Sequence, residues 1–371
     1  MSIARLILNM IMGPMYWITL LFPIKQNKIA FISLSSEKLE GDFKIIARKL
    51  EAKEEYEIVY VLAKFKRTLT GCFAYFFALM KQLYHINTAH LVLLDSNNYA
   101  VSYFKKKEVK VLQVWHASGA IKKFGNDVER SYPIRSYDYV LACADVWKPF
   151  YASAFGVRED QVVPIGIPRT DRIFSKKRMK KYQKEIETLY PQILGHKVVL
   201  YAPTFRGNIM KDYHYEKIDL AKMKAKLGDD YCIMYKMHPL LREASLDEQE
   251  DPMIINANDI SIKRLFAVSD YLISDYSSVV FEYSVLGKPV LFYTPDLKQY
   301  EEEVGTYFDY ETTMPGPICY DEDTLTKYIL EDHFDMEKIK RFRNRFFKYR
   351  DGKSTKRVIA FIDEIMSERI D

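Results

Sequence analysis

Four short segments of this 371-residue chain place side chains able to move protons or hold phosphate directly after apolar runs. The first is WHASGAIKKFG, Trp115 to Gly125, in which His116 carries the side chain type whose proton exchanges near neutrality. Gly119 and Gly125 would let backbone approach a ligand, and Lys122 and Lys123 add positive charge; a hydrogen-bonded loop histidine is the plainer alternative. The second is YAPTFRG, Tyr201 to Gly207, where the planar fork of Arg206 suits a phosphate, although a solvated loop arginine has the same signature. In the third, KMHP, Lys236 and His238 flank a strand end and Pro239 turns the chain, so His238 is a second proton carrier or a donor to phosphate. The fourth, SDYSSVVFEYSVLGKPV from Ser274 to Val290, is the most informative. Asp275 to Ser278 read as a turn before a helix beginning at Val279, so Ser277 and Ser278 offer hydroxyls and the N–H groups of a helix N-terminus to a phosphate. Glu282 lies four residues after Ser278 on the same helix face, within reach of ribose hydroxyls beside that phosphate. Plain helix capping by Asp275 or Ser278 is the competing explanation.

Positioning these segments requires a scaffold that ends many strands on one side. Apolar runs at Ile29–Leu34, Glu57–Leu62, His90–Leu94, Val111–Trp115, Tyr139–Ala142 and Val162–Ile165 alternate with helix-like stretches such as Asp42–Ala52 and Gly71–Tyr84. Continuous apolar strands separated by helices predict a parallel sheet covered on both faces, a doubly wound α/β half. After a basic stretch the pattern restarts, with strands at Lys197–Tyr201, Tyr231–Lys236, Met253–Ile255, Tyr271–Ser274 and Pro289–Tyr293 and helices at Ile218–Leu227, Ser261–Val268 and Val279–Leu286. The chain therefore divides into an N-terminal segment, 1–27, a first domain, 28–170, and a second, 171–371, with the last helix free to cross back. Ligands in such halves bind at the carboxyl ends of the strands, where all four segments fall.

Composition narrows the classes further. Hydrophobic residues make up 48% and charged residues 28% of the chain, which excludes a largely disordered protein. Cys72, Cys143, Cys232 and Cys319 are far apart and lack metal-ligand spacing, so buried free thiols in a reducing compartment are expected. The net charge of +5 is too small for strong nucleic-acid binding and no nucleic-acid module accompanies it. Basic runs at Arg169–Lys184 and Lys338–Arg350 read first as solvated helix faces and also suit an anionic membrane or a phosphate-bearing substrate. Ile3 to Ile24 is mainly apolar, but Arg5, Asn9, the Gly13–Pro14 pair and Thr19 interrupt it, so a segment lying in the membrane interface is expected first, with a helix packed on the protein as the alternative and a true span the least favoured reading. Asp321-Glu322-Asp323 is read as a helix cap with an acidic first turn rather than a metal motif. Phe347 stands where a P-loop ending in Gly352-Lys353-Ser354 would need its first glycine, so no P-loop is present.

Taken in order and spacing, the four segments resemble those of the CDP-glycerol glycerophosphotransferase family, over about residues 28 to 365. The third and fourth match closely, and GTYFDYETTMPGPI, Gly305 to Ile318, resembles the stretch that follows the family's donor site. The first matches loosely: many relatives have WHG where this chain has Trp115-His116-Ala117. The resemblance implies two Rossmann-like domains facing a cleft, a GT-B-like architecture, with the nucleotide held by the C-terminal half. It implies His116 as the base for the acceptor hydroxyl, with His238, Arg206, Ser277 and Ser278 on the diphosphate and Glu282 on the ribose; Asp275 orders the loop. Lys236 falls on the donor side, and Gly119 and Lys122 on the acceptor side.

The activity so implied is primase-like transfer of glycerol phosphate from CDP-glycerol to an undecaprenyl-diphosphate-linked saccharide, releasing CMP, in wall teichoic acid synthesis. The enzyme would be peripheral at the cytoplasmic face of the membrane, with no required cofactor and magnesium as an optional aid. CDP-ribitol as donor, a GT-B sugar-nucleotide glycosyltransferase, and an inactive membrane-peripheral scaffold are the alternatives.

Overall fold

The computed structural model describes residues 3–66, 68–208, 212–238 and 251–370, so Pro239 of the third segment lies outside the described residues. The chain forms two compact units, one of Met1–Ala117, Lys123–Asp171 and Phe347–Asp371, the other of Ser118–Lys122 and Arg172–Phe346. Packing, not chain order, assigns the short stretch Ser118–Lys122 to the second unit and the C-terminal helix Ser354–Ser367 to the first.

The first unit is a six-stranded sheet of β1 (Lys25–Ser33), β2 (Glu57–Leu62), β3 (Ala89–Leu94), β4 (Lys110–Gln113), β5 (Tyr139–Leu141) and β6 (Val162–Val163), in the order β2-β1-β3-β4-β5-β6. All its pairings are parallel. Every residue of β3, AHLVLL, is buried, as expected of a strand covered on both faces. One cover is the helix Gly41–Glu51, whose Phe43, Ile46, Ala47 and Leu50 recur at helical spacing and are all buried. They join Ile29, Phe31, Leu91 and Leu93 of the sheet and Val358, Ile362 and Ile365 of the C-terminal helix in one core. Burying each of the larger side chains, Phe, Ile, Leu or Val, contributes about 1.5–3 kcal/mol.

In the second unit, β7 (Lys197–Tyr201), β8 (Arg206–Asn208), β9 (Asp212–His214), β10 (Tyr231–Tyr235), β11 (Ile254–Asn256), β12 (Tyr271–Ser274), β13 (Val290–Tyr293) and β14 (Ile318–Cys319) follow in sequence. Six of them form a parallel sheet in the order β11-β10-β7-β12-β13-β14, and β8 and β9 pair as a separate antiparallel ribbon. In each sheet the strand order reverses once, between β1 and β3 in the first and between β7 and β12 in the second. These reversals open a crevice at the strand ends where ligands bind in open α/β sheets.

Several expectations change in the structure. The strand expected to reach Trp115 ends at Gln113, because Trp115 takes φ +61°, a left-handed conformation no strand can continue. The helix Ile3–Thr19 runs through Pro14 instead of breaking there, and its Met12 and Thr19 are buried. Among the described residues no helix is long and apolar enough to cross a membrane. Cys72 is exposed, on the helix Leu69–Thr88, whereas Cys143, Cys232 and Cys319 are buried as expected. Asp321 caps the helix Glu322–Glu331 by accepting from Thr324 N at 2.7 Å.

Gly125, read from the sequence as room for a ligand, is needed for packing instead. It takes φ +64°, and a Cβ there would lie 2.2 Å from the Ala154 carbonyl oxygen of the helix Lys148–Phe155. Backbone cannot yield as a side-chain tip does, so Gly125→Ala combines left-handed strain with overpacking. Thermal or denaturant unfolding should show a loss of about 2–4 kcal/mol, and a loss below about 0.5 kcal/mol would refute this account.

Candidate active site

In the first unit the loops at the β1/β3 reversal enclose a cavity of about 320 Å³, lined among others by Ser35, Ser36, Lys38, Asp95, Trp115, His116 and Arg169. His116 Nδ1 lies 3.1 Å from the carbonyl oxygen of Asp95. A carbonyl can only accept, so Nδ1 carries the proton and the Nε2 lone pair is left to act as a base. The ring keeps an open edge, yet desolvation by the surrounding protein, aided by the Arg169 charge, lowers its pKa below the usual imidazole value against the opposing Asp95 carbonyl. The ring of Trp115 lies against it, centroid to centroid 3.9 Å, and stacks on Phe124 at 4.9 Å.

The loop bearing His116 is anchored by charge. Asp42, 2% exposed, accepts from Arg169 N at 2.6 Å and from Arg169 Nε at 2.5 Å. The same guanidinium donates through Nη1 to the His116 carbonyl oxygen at 2.5 Å. Asp42 sits in the first turn of its helix, where a carboxylate also faces the positive end of the helix dipole. The main chain of the base is thus tied to a buried ion pair.

In the second unit the β7/β12 reversal is closed by Asp275, the first residue after β12. Both its carboxylate oxygens lie 3.0 Å from Thr204 N, and one accepts from Arg206 Nη1 at 2.5 Å. Arg206, only 5% exposed, also donates to the Thr204 carbonyl oxygen and, through Nε and Nη2, to both oxygens of Asp296. Burial works against the charge on Arg206, but Asp296 and Asp275 hold it firmly protonated. Burial pushes the Asp275 carboxyl up while Arg206 and Thr204 pull it back. Asp296 stays below the usual carboxylate range because the Arg206 and Tyr276 hydrogen bonds outweigh its desolvation. Tyr276 stacks on Tyr300 with centroids 3.6 Å apart, and the Tyr310 hydroxyl donates to the Asp275 carbonyl oxygen at 3.0 Å.

Arg206 therefore differs from its sequence expectation: four of its five N–H groups are engaged by protein oxygens, leaving a lock on the Asp275 turn rather than an open phosphate clamp. Neither Asp275 nor Ser278 caps the helix Val279–Ser284, and Ser278 makes no side-chain cap bond. Ser277 and Ser278 are half-buried beside that turn. Glu282, 7% exposed, accepts from the Ser118 hydroxyl at 2.8 Å. Gly119, which is buried, and Lys122, both expected on the acceptor side, belong to the second unit together with Arg206, His238 and the Ser277–Ser278 turn. The Lys122 ammonium lies 4.8 Å from the Phe205 ring centroid, and that ring is 5.0 Å from the His238 ring. Burial and the Lys122 charge lower the pKa of His238 to about 4, so it is neutral at physiological pH. Lys236 donates to the Asn258 carbonyl oxygen at 2.7 Å.

Asp42, Asp95, Arg169, Thr204 and Asp296 were missed in the sequence. Asp95 alone carried a usable signal, standing directly after the apolar run HLVLL at a strand's carboxyl end; the others reach the two sites only through contacts spanning 53 to 127 residues.

Residues 14–364 match the profile of the CDP-Glycerol:Poly(glycerophosphate) glycerophosphotransferase family. The chain belongs to this family. Within it, the chain is 35% identical to the teichoic acid ribitol-phosphate primase of Bacillus spizizenii, over 95% of this chain and 94% of that protein. It is 33% identical to the teichoic acid glycerol-phosphate primase of Bacillus subtilis, over 78% of this chain and 77% of that one. Among solved structures it resembles the wall teichoic acid polymerase TagF, with TM-score 0.73 at 24% identity over 98% of this chain and 96% of that chain. A variant of that polymerase soaked with CDPG superposes with TM-score 0.72 at the same identity, over 99% and 97%. The likeness extends the two-parallel-sheet α/β fold, GT-B-like, across the whole chain. Family membership makes this glycerophosphotransferase relative a transferase of teichoic acid synthesis, acting by phosphotransfer.

The Arg206 lock predicts a stability defect. Arg206→Ala leaves Asp275 buried without its cation, which costs about 3–5 kcal/mol, read as a lower unfolding temperature. Unchanged stability with weakened nucleotide binding alone would restore the phosphate-clamp assignment.

Proposed function

We propose that the protein transfers a polyol phosphate from a CDP-activated donor to an acceptor hydroxyl, releasing CMP, with the first unit serving the acceptor and the second the donor. The observation that carries the reading is the orientation of His116: with Nδ1–H bound to the Asp95 carbonyl, Nε2 is a neutral base at the wall of a polar cavity. Nε2 takes the proton of the acceptor hydroxyl as its oxygen attacks the distal phosphorus in line, the bond to CMP breaks, and a phosphodiester forms. His238, Lys122, Ser277 and Ser278 are assigned to the charge on the donor diphosphate, and Glu282 to its ribose. Asp275 and Arg206 hold that loop in place. No metal is assigned a step; assays with added magnesium and with a chelator decide whether one assists.

The glycerol donor expected from the sequence stands beside a second reading, ribitol phosphate, favoured by the 35% identity to the ribitol-phosphate primase across 94% of that protein. CMP release from CDP-glycerol and from CDP-ribitol, each with a lipid-diphosphate disaccharide analogue, separates the two. His116→Ala should lower kcat by 10²–10⁴-fold, in order of magnitude. Because desolvation lowers the His116 pKa, kcat/KM should stay level down to about pH 6.5 and fall only below it, as the base becomes protonated. A nucleoside diphosphate product in place of CMP would identify a glycosyltransferase instead.

We also assign the protein to the cytoplasmic membrane surface, as a peripheral enzyme. Support comes from the helix Ile3–Thr19, which exposes Leu6, Met10, Trp17 and Ile18, and from the helix Leu69–Thr88 against which it packs, which exposes Phe73 and Phe77. Exposed apolar patches of this kind mark interaction surfaces, and Trp suits the headgroup layer. In co-sedimentation with phosphatidylglycerol vesicles, the double variant Trp17→Glu and Phe77→Glu should bind at least tenfold more weakly while donor binding is kept. Equal vesicle binding would remove this surface from the membrane.

A further inference from the structure

We propose that a groove of the second unit, between the helices Tyr310–Thr313 and Met336–Phe346, is an anion site separate from the donor turn, holding a phosphodiester of a polyol-phosphate chain away from its reacting end. The inference rests on the phosphotransfer reading above and extends it to the charge that the reaction leaves on its product.

The groove has a volume of about 270 Å³ and is lined by Lys338, Arg341, Phe342 and Arg345 of one helix and by Thr312 and Thr313 of the other. Ile339, Phe342 and Phe346 form the buried face of the longer helix, and Phe342 stacks on Phe281 with ring centroids 5.3 Å apart. Lys338, Arg341 and Arg345 follow one another at spacings of three and four residues, so they share a face beside Phe342. They spread over roughly 10 Å of helix, a row of cations rather than a single point.

The charge of this row is largely uncompensated. Among the described residues, neither Lys338 nor Arg345 has a carboxylate within salt-bridge distance, and Arg341 reaches only Asp335, at 3.5 Å. Glu337, the one acid of the helix, pairs with Lys340 at 3.2 Å. On the facing side, Asp309 accepts from Thr312 N at 2.9 Å and Glu311 from the Tyr320 hydroxyl. The Arg345 guanidinium lies over the rings of Phe308 and Phe346, 5.1 and 5.3 Å from their centroids. Stacking engages the plane of the guanidinium and leaves the N–H groups on its edge for an anion. Like charges this close repel, and an anion between them removes that cost.

Phosphotransfer to a hydroxyl leaves a phosphodiester that keeps one negative charge and is flanked by polyol carbons and hydroxyls. The groove matches each part: the cations face the charge, the threonine hydroxyls pair with hydroxyls, and Phe342 supports the carbon chain. None of the lining residues belongs to the donor set of His238, Lys122, Ser277, Ser278 and Glu282.

The test measures binding of a short, fluorescently labelled oligo(glycerol phosphate) to the full chain by anisotropy, for wild type and for the triple variant Lys338→Gln, Arg341→Gln and Arg345→Gln. The triple variant should bind roughly 10–100-fold more weakly, and added salt should weaken wild type more than the variant. CMP release with an uncharged acceptor analogue should be the same in both. Arg341→Gln alone, at an exposed position, should lose part of the affinity and serves where the triple variant fails to fold. Equal binding by wild type and the variants, or no binding by wild type, would overturn the assignment. A loss confined to phosphatidylglycerol vesicles, with oligomer binding intact, would also overturn it and give the groove to a lipid headgroup. Absence of CMP from wild type with either CDP-polyol would defeat the phosphotransfer reading, and oligomer binding is read independently of it.

Discussion

A parallel sheet buried on both faces leaves little room for chemistry except at the ends of its strands, and the rest of this structure follows from that constraint. Strands such as AHLVLL are apolar throughout because helices cover both sides, so polar side chains are confined to the loops beyond them. Only where the strand order reverses do neighbouring loops diverge and leave a crevice. The chain has one reversal in each sheet. The cavity beside His116 lies at one, and the turn held by Asp275 at the other.

Both places are stabilised in the same way. A buried carboxylate takes a main-chain N–H from a distant loop and the guanidinium of an arginine: Asp42 with Arg169 in the first unit, Asp275 with Thr204 and Arg206 in the second. Such pairs add little net stability over apolar packing, since desolvation offsets most of the attraction, but losing one partner is expensive. They suit loops that must keep one conformation without a core of their own. Trp115, held at positive φ before the base, belongs to the same pattern of local strain kept in place by its surroundings.

The division of labour among basic groups is sharper than charge counting suggests. Arg206 and Arg169 are consumed by carboxylates and act as structural pins. The cation beside His238 is Lys122, carried into the second unit by a five-residue stretch that begins two positions after His116. Its burial lowers its pKa, so its charge is poised to be stabilised further by an anion.

Apolar runs and helical spacing in the sequence determined the two α/β halves, because a strand covered on both faces must be apolar throughout and Phe43, Ile46, Ala47 and Leu50 can share a face only in a helix. Strand-end position pointed to His116, His238 and the Ser277–Ser278 turn, and motif order to the family. Tertiary structure alone decided what Arg206 binds, since a loop arginine reads the same whether solvated or locked, and its partners Asp275 and Asp296 lie 69 and 90 residues away. It also decided that Lys122 sits beside His238, that Gly125 serves helix packing, and that the Asp95 carbonyl fixes the base. Local sequence carries the period of an element and the chemistry of a side chain; which partners fill its hydrogen bonds is set by loops that meet only after the sheets have formed.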